Sequence, residues 1–211
     1  MSLIARHFGV MCLAFVGLVL VWSGLQPKDR FTWFLEVAPV LLIAPFAVRL
    51  HLKYEITSLL IGLMALHGVV LCIGGKYTYA EVPAGFWIQD LLGLARNHYD
   101  RLGHWMQGFV PAILAREVLL RNDVLRKKGL WLGLIVSSLC LAFSACYELI
   151  EWLTATLSGE AADAFLGTQG DVWDTQWDMF MALLGSIAAQ VSLVRVHDNF
   201  LVKTNLLHRQ G

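Results

Sequence analysis

Residues 131–154, WLGLIVSSLCLAFSACYELIEWLT, decide the fold. No charge occurs before Glu148, and Glu148 and Glu151 are the only charged residues in the stretch. As a helix it would extend about 36 Å, more than the ~30 Å hydrocarbon core of a bilayer. A soluble core helix has no need of so long an unbroken apolar surface, so the stretch reads as a membrane span.

Five other runs approach that length, at roughly 9–26, 33–50, 56–75, 104–120 and 177–196. The chain as a whole is 57% hydrophobic, 15% charged and has a mean hydropathy of +0.62. Soluble domains carry about 45–50% apolar and about 25% charged residues, so the class is integral membrane. Six spans with short tails and no internal repeat predict an all-α, polytopic helical bundle forming one domain, residues 1–211. The fourth run, HWMQGFVPAILAREVLL, is the weakest, because it holds Gln107, Pro111, Arg116 and Glu117. Pro39, Pro45 and Pro111 are expected to kink or locally unwind their helices. The first run ends in VWSGLQPKDR, without a small-residue cleavage site, and is expected to be retained as a span.

Lys and Arg set the orientation. Ten fall on the side that receives the N-terminus, the second and fourth loops and the C-terminal tail: Arg6, Arg49, Lys53, Arg121, Arg126, Lys127, Lys128, Arg195, Lys203 and Arg209. Five fall on the other side: Lys28, Arg30, Lys76, Arg96 and Arg101. Both termini are therefore expected in the cytoplasm and the odd loops outside. Trp33, Trp87, Trp105, Trp152, Trp173 and Trp177 then fall near the outer interface, as an aromatic belt would. Loop three, about 76–103, is aromatic enough to include a helix lying on the membrane. A net charge of zero gives nucleic acid no electrostatic hold, and membrane lipids are the expected partners. Cys12, Cys72, Cys140 and Cys146 read as buried thiols, with a Cys72–Cys146 bridge as the alternative.

This orientation gathers the polar residues at one face. Glu148 and Glu151 share a helix face, with Ser144 and Tyr147 one turn before. Asp171, Asp174 and Asp178 make a second stripe if the last helix starts by Asp171, and His98, Arg101 and His104 a third. Carboxylates in a bilayer must be paired, wet or coordinating a cation. Three chemistries fit. In the first, His67, His104, Glu148, Glu151, Asp171, Asp174 and Asp178 supply ligands to a divalent metal, Mg, Mn, Zn or Ca, that activates water or polarises a phosphoryl group. In the second, Glu148, Glu151 and Asp174 act as acids and bases with Arg101, while Arg96, His98, Tyr99 and Gln176 contact a lipid-linked substrate. In the third, the acids mark an ion or proton pathway for a small-solute transporter.

A purely structural account pairs the acids with Arg96, Arg101 and the histidines. It makes Thr175 the N-cap of the last helix with Asp178 at N3, His67 a packing residue, Glu36 an interfacial acid, and Arg116 and Glu117 cytoplasmic anchors. It handles Glu148 and Glu151 less well, because they are expected at the end of a helix, where the dipole disfavours negative charge.

At LHGVVLCIGGKYTY, RNHYDRLGHWMQGFVPAILAREVLLR, YELIEW and FLGTQGDVWDTQWDM the chain resembles the YjdF-type family of bacterial inner-membrane proteins. The resemblance implies a multi-pass protein of the inner (cytoplasmic) membrane and supplies no catalytic residues. A looser similarity to VanZ-like membrane proteins rests on Glu148, Glu151, Asp174, Gln176 and Asp178. By analogy it points to cell-envelope biology.

Overall fold

The computed structural model describes residues 3–54, 56–125, 129–158, 166 and 168–203. Arg126, Lys127, Lys128 and Arg209 of the expected cytoplasmic set, and Gly159 and Gly167 of the fifth loop, lie outside the described residues. Among the described residues there are helices and no strand. The helices are α1 (Leu3–Gly24), α2 (Arg30–Tyr54), α3 (Ser58–Tyr77), α4 (Pro83–Leu92), α5 (Tyr99–Arg121), α6 (Leu130–Ser158) and α7 (Asp174–Lys203). Five of them, α1, α2, α3, α6 and α7, are long and apolar enough to cross a membrane.

Local chemistry sets several of these ends. The Asp29 carboxylate accepts from the Thr32 amide at 2.7 Å at the head of α2, and this bond holds its carboxyl below the usual range. Thr57 caps α3 by accepting from the Leu60 amide at 3.3 Å. Pro83 opens α4, and Gly93 closes it in the left-handed region at φ 62°. α4 exposes Trp87, Ile88, Leu91 and Leu92, the surface an interfacial helix presents to lipid. The helices α2 and α5 run unbroken through Pro39, Pro45 and Pro111.

Side-chain pairings give the helix directions. Phe8 and Val16 of α1 meet Gly62 and Gly68 of α3, so these two helices run parallel. Trp33 and Val40 of α2 meet Gly75 and Gly68, so α2 is antiparallel to both. Thr57 of α3 bonds Glu117 and Val70 bonds Tyr99, which makes α5 antiparallel to α3. Arg101 and Arg116 of α5 meet Asp178 and His197 of α7, so that pair is parallel. Gly133 of α6 faces Gln190 of α7, Ser137 bonds Ser186 and Glu148 bonds Thr175, so α6 is reversed. These directions alternate along the chain as they must if α5 crosses with the other five.

α5 is the hub. Thirteen of its 23 residues are buried, against six of 29 in α6, so its polar groups face protein rather than lipid. That is why its hydropathy is low. Its contact with α7 is backbone-close. A methyl group at Gly108 would overlap the Ala182 carbonyl, and one at Gly185 would overlap the Trp105 carbonyl. Small residues at such crossings let helices approach where lipid provides no hydrophobic drive. Below this crossing lies an apolar cluster that includes Leu60, Ala112, Ile113, Val136, Cys140 and Ala189.

The cytoplasmic end of the hub carries a closed polar network. Glu117 is fully buried and accepts from the Thr57 amide at 3.0 Å, the Thr57 hydroxyl at 2.7 Å and Arg121 Nε at 2.9 Å. His197 donates from Nε2 to Glu117 at 3.0 Å, which leaves Nδ1 to accept from Arg116 at 2.8 Å. Arg116 also bonds Asp198 at 2.5 Å. Arg116 and Glu117 are thus internal clasps joining α3, α5 and α7, rather than interfacial anchors. Cys72 and Cys146 are both free, the first buried and the second exposed, so the alternative bridge does not form.

Two stability outcomes follow from this packing. Gly108→Leu should destabilise the protein by about 1–3 kcal/mol or more, read as a lowered thermal unfolding midpoint in detergent, since backbone atoms cannot give way. Gly17→Leu, where nothing lies within 4 Å, should be close to neutral. Glu117→Leu should cost about 3–5 kcal/mol in the same measurement, because it strands buried Arg and His partners.

Candidate functional site

The opposite end of the hub holds the predicted acid cluster. The first turns of α5 place Asp100, Arg101, His104 and Gln107 on the side facing α6 and α7, and the spacings of three and four make them neighbours. The start of α7 contributes Asp174 and Asp178 one turn apart. Glu148 and Glu151 come from α6, both buried. α6 continues to Ser158, two turns past Glu151, so the helix dipole does not act on these two acids as the sequence suggested. Their demand for a cation rests instead on the local charge count.

The two arginines are already engaged. Arg101 Nη2 bonds Asp174 Oδ1 at 2.5 Å and approaches Asp171 Oδ2 at 3.3 Å, while its Nη1 bonds Asp178 Oδ1. Arg96 bonds Asp174 at 2.8 Å, Asp171 at 3.1 Å and the Thr168 carbonyl. Gln169 donates to the Asn97 carbonyl at 2.8 Å. The third and fifth loops are thereby tied together over the site. Asp171 sits in the turn before α7, where its Oδ1 accepts from the Trp173 amide at 2.9 Å. Because α7 starts at Asp174, Thr175 lies inside the first turn and is not its N-cap.

His104 lies among the remaining acids. Its Nδ1 is 2.9 Å from Gln107 Oε1, which can only accept, so Nδ1 carries the proton. Nε2 then faces Asp100 Oδ1 at 3.5 Å and Asp178 Oδ1 at 3.7 Å. The Asp100, His104 and Asp178 donor atoms all lie within 4.8 Å of one another. Glu148 Oε1 is 3.6 Å from the Nδ1 side of the ring, and Tyr147 meets its face edge-on at 6.2 Å. Glu36 of α2 is buried and within electrostatic reach of Asp100 and His104. Among the described residues the region therefore holds seven carboxyls, Glu36, Asp100, Glu148, Glu151, Asp171, Asp174 and Asp178. Against them stand two guanidinium groups and three imidazoles, His104 within the cluster and His98 and His67 within electrostatic reach of it.

A cavity of about 140 Å³ opens between the end of α6 and the start of α7, walled by Glu148, Glu151, Trp152, Thr168, Asp174 and Thr175 among others. Trp152 and Thr175 are exposed at its rim. Five buried polar atoms in this half of the bundle lack a hydrogen-bond partner among the described residues: Glu148 Oε1, Ser144 Oγ, His67 Nε2, Thr32 Oγ1 and Gln89 Oε1. Each such atom costs about 1–3 kcal/mol if unmet.

Other predicted residues are placed differently. Tyr99 is buried beside Tyr79 and Val82, with its hydroxyl on the Val70 carbonyl at 3.0 Å. Gln176 is exposed and does not wall the cavity. His98 is half-buried; burial, then the Arg96 and Arg101 charges, hold its imidazole below the usual range, so it is neutral at pH 7. Of the belt tryptophans, Trp87, Trp152, Trp173 and Trp177 are exposed, whereas Trp33 donates to Ser23 Oγ at 3.0 Å and Trp105 stacks on Phe109. Sequence reasoning leaves Asp100 and Gln107 out of the candidate ligand set. The i, i+4 and i+3 spacings of these two residues from His104 are the available signal.

The chain matches the family model described as "Predicted membrane protein (DUF2238)" over residues 8–199. It is 46% identical over 190 residues to the inner membrane protein YjdF of Escherichia coli (strain K12), covering 90% of each chain. No solved structure matches it. The chain thus belongs to the DUF2238 family of predicted membrane proteins and is a multi-pass protein of the inner membrane.

Proposed function

We propose that the protein is a metal-assisted hydrolase or transferase acting on phosphorylated, lipid-linked molecules from the leaflet that the Lys/Arg distribution places outside. The observation that carries this is the His104 ring. Gln107 holds Nδ1 at 2.9 Å and so turns Nε2 toward two carboxylate oxygens, at 3.5 and 3.7 Å. Metal-bound histidines are oriented by such a bond on the far nitrogen. Donors around a tetrahedral ion at about 2.0–2.1 Å lie about 3.3–3.4 Å apart, close to the spacings of 3.5 and 3.7 Å found here. Arg101 already donates to Asp178 Oδ1, so an ion here, or a proton on Nε2, would chiefly relieve the contact between the imidazole and Asp100.

One nitrogen and two carboxylates suit Mn or Zn better than Ca or Mg. A divalent ion would offset part of the carboxylate excess, lower the pKa of a coordinated water and polarise a phosphoryl oxygen. Glu148 lies beside His104 Nδ1, across the ring from the ion, and on the cavity wall, where it would exchange a proton with the part of the substrate held in the cavity. Since Arg96 and Arg101 are engaged by Asp171, Asp174 and Asp178, the positive charge offered to a phosphate would come from the ion. Access from lipid is supported by the exposed Leu149, Ile150 and Leu153 beside the cavity on α6. Transport is less well supported, because the apolar cluster around Ile113, Val136 and Cys140 separates this site from the Arg116–Glu117 network.

After dialysis against metal-free buffer, elemental analysis should find close to one Mn or Zn per chain. His104→Gln and Asp178→Asn should each reduce that content at least tenfold while the protein still unfolds cooperatively. Metal-free wild type whose unfolding midpoint does not rise on adding Mn or Zn would overturn the proposal. Glu148→Gln should keep the metal and lower metal-dependent cleavage of phosphoesters by about 10²-fold or more.

A further inference from the structure

We infer that the cavity between α6 and α7 binds a primary ammonium group, carried on the same molecule as the phosphate placed at the ion site above, and so the inference rests on that reading for its second half. Among the described residues the wall carries Glu148, Glu151 and Asp174 and no Lys, Arg or His. Asp174 is already neutralised by Arg96 and Arg101. Neither arginine reaches Glu148 or Glu151; Glu148 Oε1 is buried 3.6 Å from His104 Nδ1 without a hydrogen-bond partner among the described residues, and Thr175 bonds the same carboxyl. A neutral or anionic ligand would leave the pair with only His104 as a nearby counter-charge. An alkylammonium brings one positive charge and three N–H donors, which Glu148, Glu151 and the wall hydroxyls of Thr168 and Thr175 are suited to accept.

Trp152 stands at the rim, one residue after Glu151 and one turn after Glu148, where an indole face attracts a cation. A quaternary ammonium is the poorer fit. It offers no N–H to the carboxylates, and Trp152 is the only aromatic residue lining the cavity among the described residues. Asp100 and His104 do not line the cavity, so the ammonium and the metal would occupy separate places. Glu148 joins them, as a wall residue whose Oε1 is 3.6 Å from His104 Nδ1. A phosphate and an amine a short linker apart would span the two, as in an aminoalkyl phosphate headgroup.

The probe is phosphatidylethanolamine titrated into phosphatidylglycerol nanodiscs holding the purified protein, with binding read from the unfolding midpoint and from lipid retained in native mass spectrometry. The expected result is saturable binding that falls at least tenfold when the lipid amine is acetylated. A similar fall is expected in Glu151→Gln, with bound metal unchanged from wild type. Soluble phosphoethanolamine binding as well as the lipid would assign the amine to a soluble ligand, whereas selectivity for the lipid assigns it to the headgroup. Equal binding of the native and acetylated lipids would overturn the inference. If Glu151→Gln does not fold, Trp152→Leu at the exposed rim decides; unchanged affinity there, together with indifference to acetylation, overturns the inference as well. Amine-selective binding by protein that holds no metal would sink the metal reading alone and leave the ammonium site standing.

Discussion

The bond between Arg101 of α5 and the aspartates of α7 is the constraint on which the rest depends. It joins two parallel helices at one end, while Arg116, His197 and Asp198 join them at the other. Between these clasps Gly108 and Gly185 let the backbones touch. Parallel helices separated in sequence by a full antiparallel span have no short loop to fix their register. Buried charge pairs supply it, since a slip of one turn would strand a guanidinium among apolar groups at a cost of several kcal/mol. The same register brings Asp178 opposite His104 and presents Glu148 to both.

Once Arg96 and Arg101 are spent on Asp171, Asp174 and Asp178, the other carboxyls have chiefly His104 nearby, with His98 and the edge of Arg101 near Asp100. Protonated acids, or an imidazolium donating from Nε2 to Asp100 and Asp178, would relieve the same crowding, and the proposed ion takes the place of that proton. The orientation of that ring is what the proposed cation site rests on. It also separates roles among residues that look alike in sequence. Asp171 and Asp174 are counter-ions, Asp178 pairs with Arg101 and also faces the imidazole, Asp100 faces the imidazole, and Glu148 and Glu151 line the cavity.

Much of this is legible in the sequence. Run lengths and Lys/Arg placement lead to an all-helical bundle with alternating directions, and the convergence of acids from α6 and α7 on one face follows from topology alone. The least apolar run is the most buried helix, because hydropathy averages over faces and cannot tell a charge directed into protein from one directed into lipid. The Arg116–Glu117–His197–Asp198 network escapes sequence reading for a related reason. Its partners lie some eighty positions apart, and only the parallel register of α5 and α7, invisible to local spacing, pairs them. Proximity to His98 and Arg101 suggests a site role for Tyr99, yet one step of 100° around a helix turns it into the core. Helix ends are also hard to place from composition. α6 runs two turns past its acids, and α7 begins at Asp174, so the cap assigned to Thr175 and the dipole argument for Glu148 and Glu151 both lapse.

The most direct test of the central claim is pulsed electron paramagnetic resonance on protein loaded with Mn(II), which detects a nitrogen nucleus bonded to the ion. Coordination by His104 Nε2 predicts coupling to a single directly bound ¹⁴N that disappears in His104→Gln. A spectrum of Mn(II) with oxygen ligands only, identical in wild type and variant, would contradict the site described here.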